Sequence, residues 1–242
     1  MKIKEIIFFL FPYLSNETLR IEWVKKELIK IPRGQSLIDI GAGEMRYKKY
    51  CRHLKYKSQD FNEYKGKGDG IGLQTGKWNT KEVDIVSDIS SIPVKNSSFD
   101  NVLCTEVLEH IPEPEAAIKE ISRVLKKKGK LILTAPFCSQ THFSPYFFMT
   151  GFSPNWYKKI ILRYNFKILK IQANGNYFDY LNQELIRLPL MVRKYTLFSF
   201  FGVFLYIIII PVVGLFWLVS KFSKKSEEQL CFGWHVVAVK TK

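Results

Sequence analysis

A mainly parallel α/β sheet is the fold class this sequence predicts, and three features predict it. Apolar runs of strand length alternate with helix-length segments between Ser36 and Thr134, which is the pattern of βαβ units. A glycine turn, Gly41-Ala42-Gly43, leaves the first of those runs, in the context where a backbone approaches a nucleotide-like ligand closely. Two more alternating strands, at Phe166 and Trp234, flank a long tract without charge, so the sheet is completed around an insertion.

The chain begins with Lys2 and Lys4 ahead of Ile6-Ile7-Phe8-Phe9-Leu10-Phe11. Glu5 interrupts this run and no small-residue cleavage site follows, so a short apolar helix is expected rather than a secretion signal. An amphipathic helix over Thr18–Lys30, carrying Leu19, Trp23, Leu28 and Ile29, comes next and stops at Pro32-Arg33-Gly34. It covers the core or touches lipid.

Ser36–Ile40 reads as a short buried strand, followed by a helix from Met45 to Leu54 and a second strand into Gln59-Asp60-Phe61. The Gly- and Lys-rich stretch 65–77 has no apolar period and reads as loop. Val83–Val86 and Phe99–Cys104 are the next strands. Pro114–Lys126 places Ile118, Ile121, Val124 and Leu125 on one helical face, Lys128-Gly129 ends it, and Lys130–Thr134 is strand. The run Lys126-Lys127-Lys128 is then a set of cations at a helix C-terminus, which needs no nucleic acid to explain it.

With 37 Lys+Arg against 22 Asp+Glu the net charge is +15, so an anionic partner surface is expected. Acidic lipid suits it; nucleic acid is not the expected partner, because no RNA-binding module accompanies the charge. Cys51, Cys104, Cys138 and Cys231 are dispersed without a CxxC pair. Neither a zinc motif nor a disulfide framework is present, no metal is expected, and a reducing compartment is the simplest reading.

The chemistry concentrates around the glycine turn. A dinucleotide fingerprint would place a third glycine at position 46, where Arg46 stands. What remains, Asp39-x-Gly41-x-Gly43, offers close backbone approach beside a carboxylate, which suits a cationic ammonium group. Asp60 ends the next strand about 20 residues on, where an acid accepts hydrogen bonds from a ribose diol. Asp88 follows the third strand, where it can accept from an adenine amino group while Ile89 packs on the ring.

These residues carry a resemblance. Leu37 to Gly43 resembles the first motif of the class I, Rossmann-like S-adenosylmethionine-dependent methyltransferases, of the type 11 group. Asp88-Ile89 through Ile92-Pro93 and Ser98-Phe99-Asp100 is similar to their adenine-side loop. Thr105-Glu106-Val107-Leu108-Glu109-His110 resembles the loop after their fourth strand, and Glu120–Thr134 their next helix and fifth strand. The resemblance implies a seven-stranded sheet with an antiparallel last strand and bound S-adenosylmethionine. It implies that Asp39, Gly41 and Gly43 line the methionine end, Asp60 the ribose, Asp88 and Ile89 the adenine, and that Thr105 and Glu106 face the cofactor. The loop 65–77 departs from the simplest members.

The expected organisation is an N-terminal helical segment (1–30), a methyltransferase domain (31–184), a hydrophobic membrane-associating insertion (185–225) and the last strand of the domain (226–242). After the fifth strand, Thr141-His142-Phe143 and Pro145–Thr150 are similar to segments of methyltransferases of bacterial surface glycans and lipid-linked substrates. His142 is the candidate general base or substrate ligand, because a base must sit at the cofactor edge. His110 is read as a helix-end or packing residue, His53 as surface and His235 as strand. The aromatic run Phe143–Trp156 lines an acceptor pocket or forms core beneath a lid.

From Tyr195 to Ser220 no residue is charged, against about 20 apolar residues needed for a transmembrane helix. Basic residues stand on both sides: Arg187, Arg193 and Lys194 before, Lys221, Lys224 and Lys225 after. Both ends therefore stay cytoplasmic. Pro211 is expected to break the tract into a re-entrant or interface-lying hairpin. The expected protein is an enzyme at the cytoplasmic face of a membrane, methylating an oxygen of a lipid-linked, surface-glycan or isoprenoid acceptor. An RNA acceptor and a non-catalytic membrane-bound scaffold are the alternatives.

Overall fold

The computed structural model describes residues 15–197 and 200–242. The apolar run at Ile6–Phe11 lies outside them. One seven-stranded sheet has the order β3-β2-β1-β4-β5-β7-β6. Its strands are β1 (Ser36–Ile40), β2 (Lys55–Asp60), β3 (Ile85–Val86), β4 (Phe99–Thr105), β5 (Leu125–Pro136), β6 (Phe166–Asn174) and β7 (Gly233–Lys240). β1 pairs in parallel with β2 and β4, β2 with β3, and β4 with β5. β7 runs antiparallel to β5, from Lys130 opposite Val239 to Pro136 opposite Gly233. The mainly parallel sheet with an antiparallel last strand is the fold the sequence predicts.

The central strands carry apolar runs where both faces are covered. Leu37, Ile38 and Ile40 of β1, Val102, Leu103 and Cys104 of β4, and Leu131, Ile132 and Leu133 of β5 are fully buried. Helix α1 (Asn16–Ile29) buries Trp23, Val24 and Leu28. Helix α2 (Pro114–Val124) starts on a proline, whose missing N–H is no loss in a first turn, and buries Ala117, Ile118 and Ile121. Its Arg123 donates to the carbonyls of Ile92 and Val94 and pairs with Glu120. That guanidinium fixes the loop between β3 and β4. Helix α3 (Pro154–Arg163) is capped by Ser153, which accepts from the Trp156 N–H.

Three expectations are corrected. No helix fills Met45–Leu54: Met45 has a left-handed φ of 54°, and only a 3₁₀ turn at Lys48–Tyr50 forms. Three residues complete that turn through bonds such as Cys51 N–H to Lys48 O (3.0 Å), which leaves Tyr47 and Cys51 buried. The lysine run at 126–128 is not at a helix end. The helix stops at Val124, Leu125 is already extended and pairs with Phe99, and Lys126 meets Asp100 at 2.8 Å. Burying Leu125 in the sheet outweighs one more helical turn.

The third correction concerns the apolar tract. The described residues form two compact units: residues 22–172 with 233–242, and residues 15–21 with 173–197 and 200–232. In the latter, helix α4 (Tyr177–Tyr195) begins with a capping box between Asn176 and Asp179. Helix α5 (Phe201–Phe222) runs without a break through Pro211. α4 and α5 pack on each other through their side chains, so the hairpin is α4 against α5 rather than two halves of one tract. Ile186, Tyr206, Ile209 and Val213 form its core. A Cβ at Gly202 would lie 2.7 Å from the Pro189 carbonyl, so glycine lets the helices meet closely. Ser220 Oγ donates to Asp179 at 2.7 Å at the other end. With these contacts fixing both ends, the missing N–H of Pro211 costs one bond without ending the helix.

Candidate active site

The parallel strands end their carboxyl termini on one edge of the sheet, where ligands of open α/β folds bind. A cavity of about 510 Å³ lies there, and its wall includes Gly41, Asp60, Asp88, Ile89, Glu106 and His110. The backbone turns sharply after β1, with φ +67° at Gly41 and +51° at Gly43. A Cβ on Gly41 would stand 2.3 Å from Val107 Cγ2, and one on Gly43 2.5 Å from the Trp78 ring. Only glycine fits either place.

Asp60 organises this turn. Its Oδ2 accepts from the Gly43 N–H (2.9 Å) and its Oδ1 from the Asn62 N–H (2.8 Å). Gln59, its neighbour on β2, takes the Gly41 N–H on Oε1 (3.4 Å) and donates to the Ser87 carbonyl (2.6 Å). One strand end thus ties the glycine turn to the adenine-side loop. In that loop Asp88 is exposed and Ile89 is buried. Glu106 adopts a φ of 52° after β4 and accepts from Thr134 Oγ1 at 2.9 Å, which holds its carboxylate at the cavity.

Of the residues expected from sequence, Gly41, Asp60, Asp88, Ile89 and Glu106 line the cavity. Asp39, Gly43, Thr105 and His142 stand behind its wall. Asp39 is buried and accepts from Tyr56 Oη at 2.8 Å. Burial pushes its carboxyl up to about 7, opposed by the Tyr56 hydrogen bond and helped by the Asp60 charge. The folded chain thus keeps a proton that an ordinary aspartate releases near pH 4. The stability this proton contributes is present in full below that pH and is lost as pH rises through about 7. Asp39→Asn should therefore flatten the fall in melting temperature between about pH 5 and pH 7.5, measured by calorimetry. An unchanged slope would mean that Asp39 is ionised in the folded chain.

The opposite wall is aromatic. Tyr64 stacks on Phe143 with ring centres 4.7 Å apart, Trp78 meets both edgewise at 4.9 and 5.0 Å, and Phe61 meets Tyr146 at 5.0 Å. Phe148 completes it. The aromatic run splits in two: Phe143, Tyr146 and Phe148 face the cavity, whereas Phe152 is buried core.

The loop 65–77 also finds its place here. Leu73 N–H donates to the Thr141 carbonyl (2.9 Å), Phe143 N–H to the Leu73 carbonyl (3.0 Å) and Asp69 N–H to the Ser144 carbonyl (3.1 Å). Tyr146 Oη donates to Glu63 at 3.0 Å. It is laced to the loop after β5, and together they carry the aromatic wall.

His110, expected only to pack, lines the cavity. Burial, then the neighbouring His142 ring, lowers its pKa to about 4, against the raising effect of its bond to the Tyr146 carbonyl. His53 is half-buried near the Ile31 carbonyl (3.1 Å). His235 lies in β7 against Trp23. Tyr64, Trp78 and Glu109 are site residues that sequence reasoning did not single out.

S-adenosylmethionine, an adenosine joined through a sulfonium to an amino acid, fits these residues. The cavity has the size of a small-molecule site. Its glycine turn admits no side chain, and Asp60, Asp88 and Glu106 offer acceptors to hydroxyl, amino and ammonium groups.

The methyltransferase domain family matches residues 38–133. Among curated proteins, the chain is 46% identical over 57 residues to an uncharacterized protein of Methanocaldococcus jannaschii, covering 24% of this chain and 25% of that protein. It is 40% identical over 63 residues to the ubiquinone biosynthesis O-methyltransferase of Xanthomonas oryzae pv. oryzae, covering 26% of each. The match to the enzyme of that name from Xanthomonas axonopodis pv. citri is 30% over 126 residues, 51% of each. The alignments with these relatives thus span a quarter to a half of their lengths.

Among solved structures, the [4+2]-cyclase SpnF is similar, with a TM-score of 0.53 and 15% identity over 93% of this chain and 81% of that one. The YcgJ protein from Bacillus subtilis has a TM-score of 0.52 and 12% identity over 91% and 97%. These two show the fold. Residues 38–133 are a methyltransferase domain of the class I, S-adenosylmethionine-dependent kind.

Proposed function

We propose that this protein methylates a hydroxyl oxygen of a lipid-linked, surface-glycan or isoprenoid acceptor at the cytoplasmic face of a membrane. The observation that carries this reading is one cavity with two unlike walls, a glycine-and-carboxylate wall for the cofactor and an aromatic wall for an apolar acceptor. S-adenosylmethionine, when bound, supplies the methyl group: an acceptor lone pair forms the new bond as the carbon–sulfur bond breaks, and that electron pair stays on sulfur. The chain's own residues position the partners. Positioning supplies much of the rate of such a transfer. Asp60 and Gln59 hold the glycine turn open, and the stacked rings of Tyr64 and Phe143 hold an apolar group against it. The names of the Xanthomonas relatives support an oxygen acceptor with an isoprenoid tail.

Support for the membrane comes from α5. Phe204–Phe222 is long and apolar enough to cross a bilayer by length and composition, and Ile207, Ile208, Leu215 and Phe222 on it are exposed. β6 and β7 are neighbours in one sheet, so both ends of the insertion return to one side. α4 carries Asp179, Glu184, Arg187, Arg193 and Lys194 and cannot accompany α5 through hydrocarbon. The hairpin therefore lies along the interface.

Incubation with methyl-labelled cofactor and separated cell fractions tests the acceptor class. Label is expected in the lipid or lipid-linked glycan fraction, at oxygen. Label in RNA would overturn the reading, and cofactor binding without label in any fraction would leave a binding protein. His142→Ala should lower turnover at least tenfold, the low end for groups that assist proton removal being about 10², with cofactor affinity unchanged. Full turnover in this variant would remove His142 from the reaction.

A further inference from the structure

Glu109, His110 and His142 converge behind the aromatic side of the cavity, with His110 itself in the wall. Glu109 and His110 lie in the tight turn at Leu108–His110 that follows β4, and the Glu109 side chain is fully buried. His142 arrives on the loop after β5. That loop is clamped to the same turn, since Phe148 and Met149 N–H both donate to the Glu109 carbonyl (2.9 and 3.1 Å). Glu109 Oε1 stands 3.7 Å from His110 Nε2 and 3.9 Å from His142 Nε2. One ligand atom from each of the three residues lies within 4.8 Å of the other two.

The far nitrogen of each ring fixes what the near one offers. His110 Nδ1 is 2.5 Å from the Tyr146 carbonyl oxygen and His142 Nδ1 is 2.8 Å from that of Gln140. A carbonyl only accepts, so each ring carries its proton at Nδ1 and turns an Nε2 lone pair inward. Two imidazole lone pairs and a buried carboxylate oxygen thus face one another. A histidine backed by a carbonyl at one nitrogen, with a lone pair forward at the other, is how proteins orient metal ligands.

We propose that Glu109, His110 and His142 bind a divalent transition-metal ion whose open positions face the cavity and take the acceptor hydroxyl. Bonds of about 2.0–2.2 Å place neighbouring ligand atoms roughly 3–3.5 Å apart, so Glu109 must close on each histidine by about half an ångström, and no pair of the three by more than about 1.8 Å. Two imidazoles and one carboxylate suit zinc, manganese or iron; magnesium and calcium prefer oxygen alone. His110 lines the cavity, which places the ion at its wall. When bound, the ion would supply a Lewis acid that eases loss of a coordinated hydroxyl's proton to water, with His142 as ligand rather than base. The ion's part in deprotonation rests on the methyl-transfer reading; its binding does not.

The test is calorimetric titration of the full-length protein, stripped with EDTA, with zinc chloride and with manganese chloride. One ion per chain is expected with at least one of them, at micromolar affinity or tighter. Glu109→Gln and His142→Ala should each weaken binding at least tenfold, while His53→Ala, far along the sequence, leaves it unchanged. His142 is on a loop, so its variant reports binding even if Glu109→Gln destabilises the fold. Added metal should also raise the melting temperature of the wild type and not of His142→Ala. No binding, or binding indifferent to both variants, would overturn the site; cofactor titration on the same samples tells that result from failure of the methyltransferase reading. Methyl transfer that survives EDTA undiminished would overturn the ion's catalytic part.

Discussion

Gly41→Leu is expected to weaken S-adenosylmethionine binding at least a hundredfold, about 2.7 kcal/mol. Two causes add. The residue sits at a φ of +67°, which costs an L-residue roughly 1–2 kcal/mol. Its Cβ would also overlap Val107 at 2.3 Å, and Val107 lines the same cavity. The side chain must push Val107 or fill the space the cofactor needs. Calorimetric titration of cofactor, beside a thermal melt, separates lost binding from lost fold. Gly41→Ala makes the smaller change and guards against outright unfolding; it should lose at least tenfold. Near-native affinity in both variants would leave the glycine turn as a turn only.

The second large effect concerns α5. Ile207 and Ile208 are about 70% exposed, so replacing both with Glu should leave the hairpin core of Ile186, Tyr206, Ile209 and Val213 intact. Each such side chain gains about 1.5–3 kcal/mol on leaving water, and two carboxylates near acyl chains reverse that gain. Sedimentation with vesicles of phosphatidylglycerol and phosphatidylcholine should show the wild type bound and Ile207→Glu/Ile208→Glu bound at least tenfold less, with cofactor affinity unchanged. Wild type that stays in the supernatant overturns the membrane reading. Cysteines placed at Thr196 and Ser223 should react with an impermeant reagent from the same side of sealed vesicles; labelling from opposite sides would mean a true span.

The sheet was legible because strands covered on both faces are mostly apolar, as Leu37, Ile38 and Ile40 and Leu131–Leu133 are. The cofactor wall was legible for a related reason. Gly41, Asp60 and Asp88 each sit at a strand end, and strand ends follow from strand positions. What the sequence hid depends on loops. Tyr64 and Trp78 meet Phe143 only because the loop at 65–77 is laced to the loop after β5, a pairing without local pattern. Glu109 and His110 are neighbours in sequence and would diverge on a regular helix; the 3₁₀ turn makes both point toward His142. Pro211 is a local signal for a break, and what overrides it is the partner helix α4, packed against α5 on both sides of it.

The position of β7 sets an order of assembly. It lies between β5 and β6 in the sheet, yet it is synthesised after the whole apolar hairpin. Until Gly233–Lys240 emerges from the ribosome, β5 presents Leu131-Ile132-Leu133 beside an open edge, and such edges recruit other chains. In that interval the exposed face of α5 is also present, so the nascent chain carries two adhesive surfaces at once. Early capture of α5 by lipid would remove one of them while the other waits for its strand.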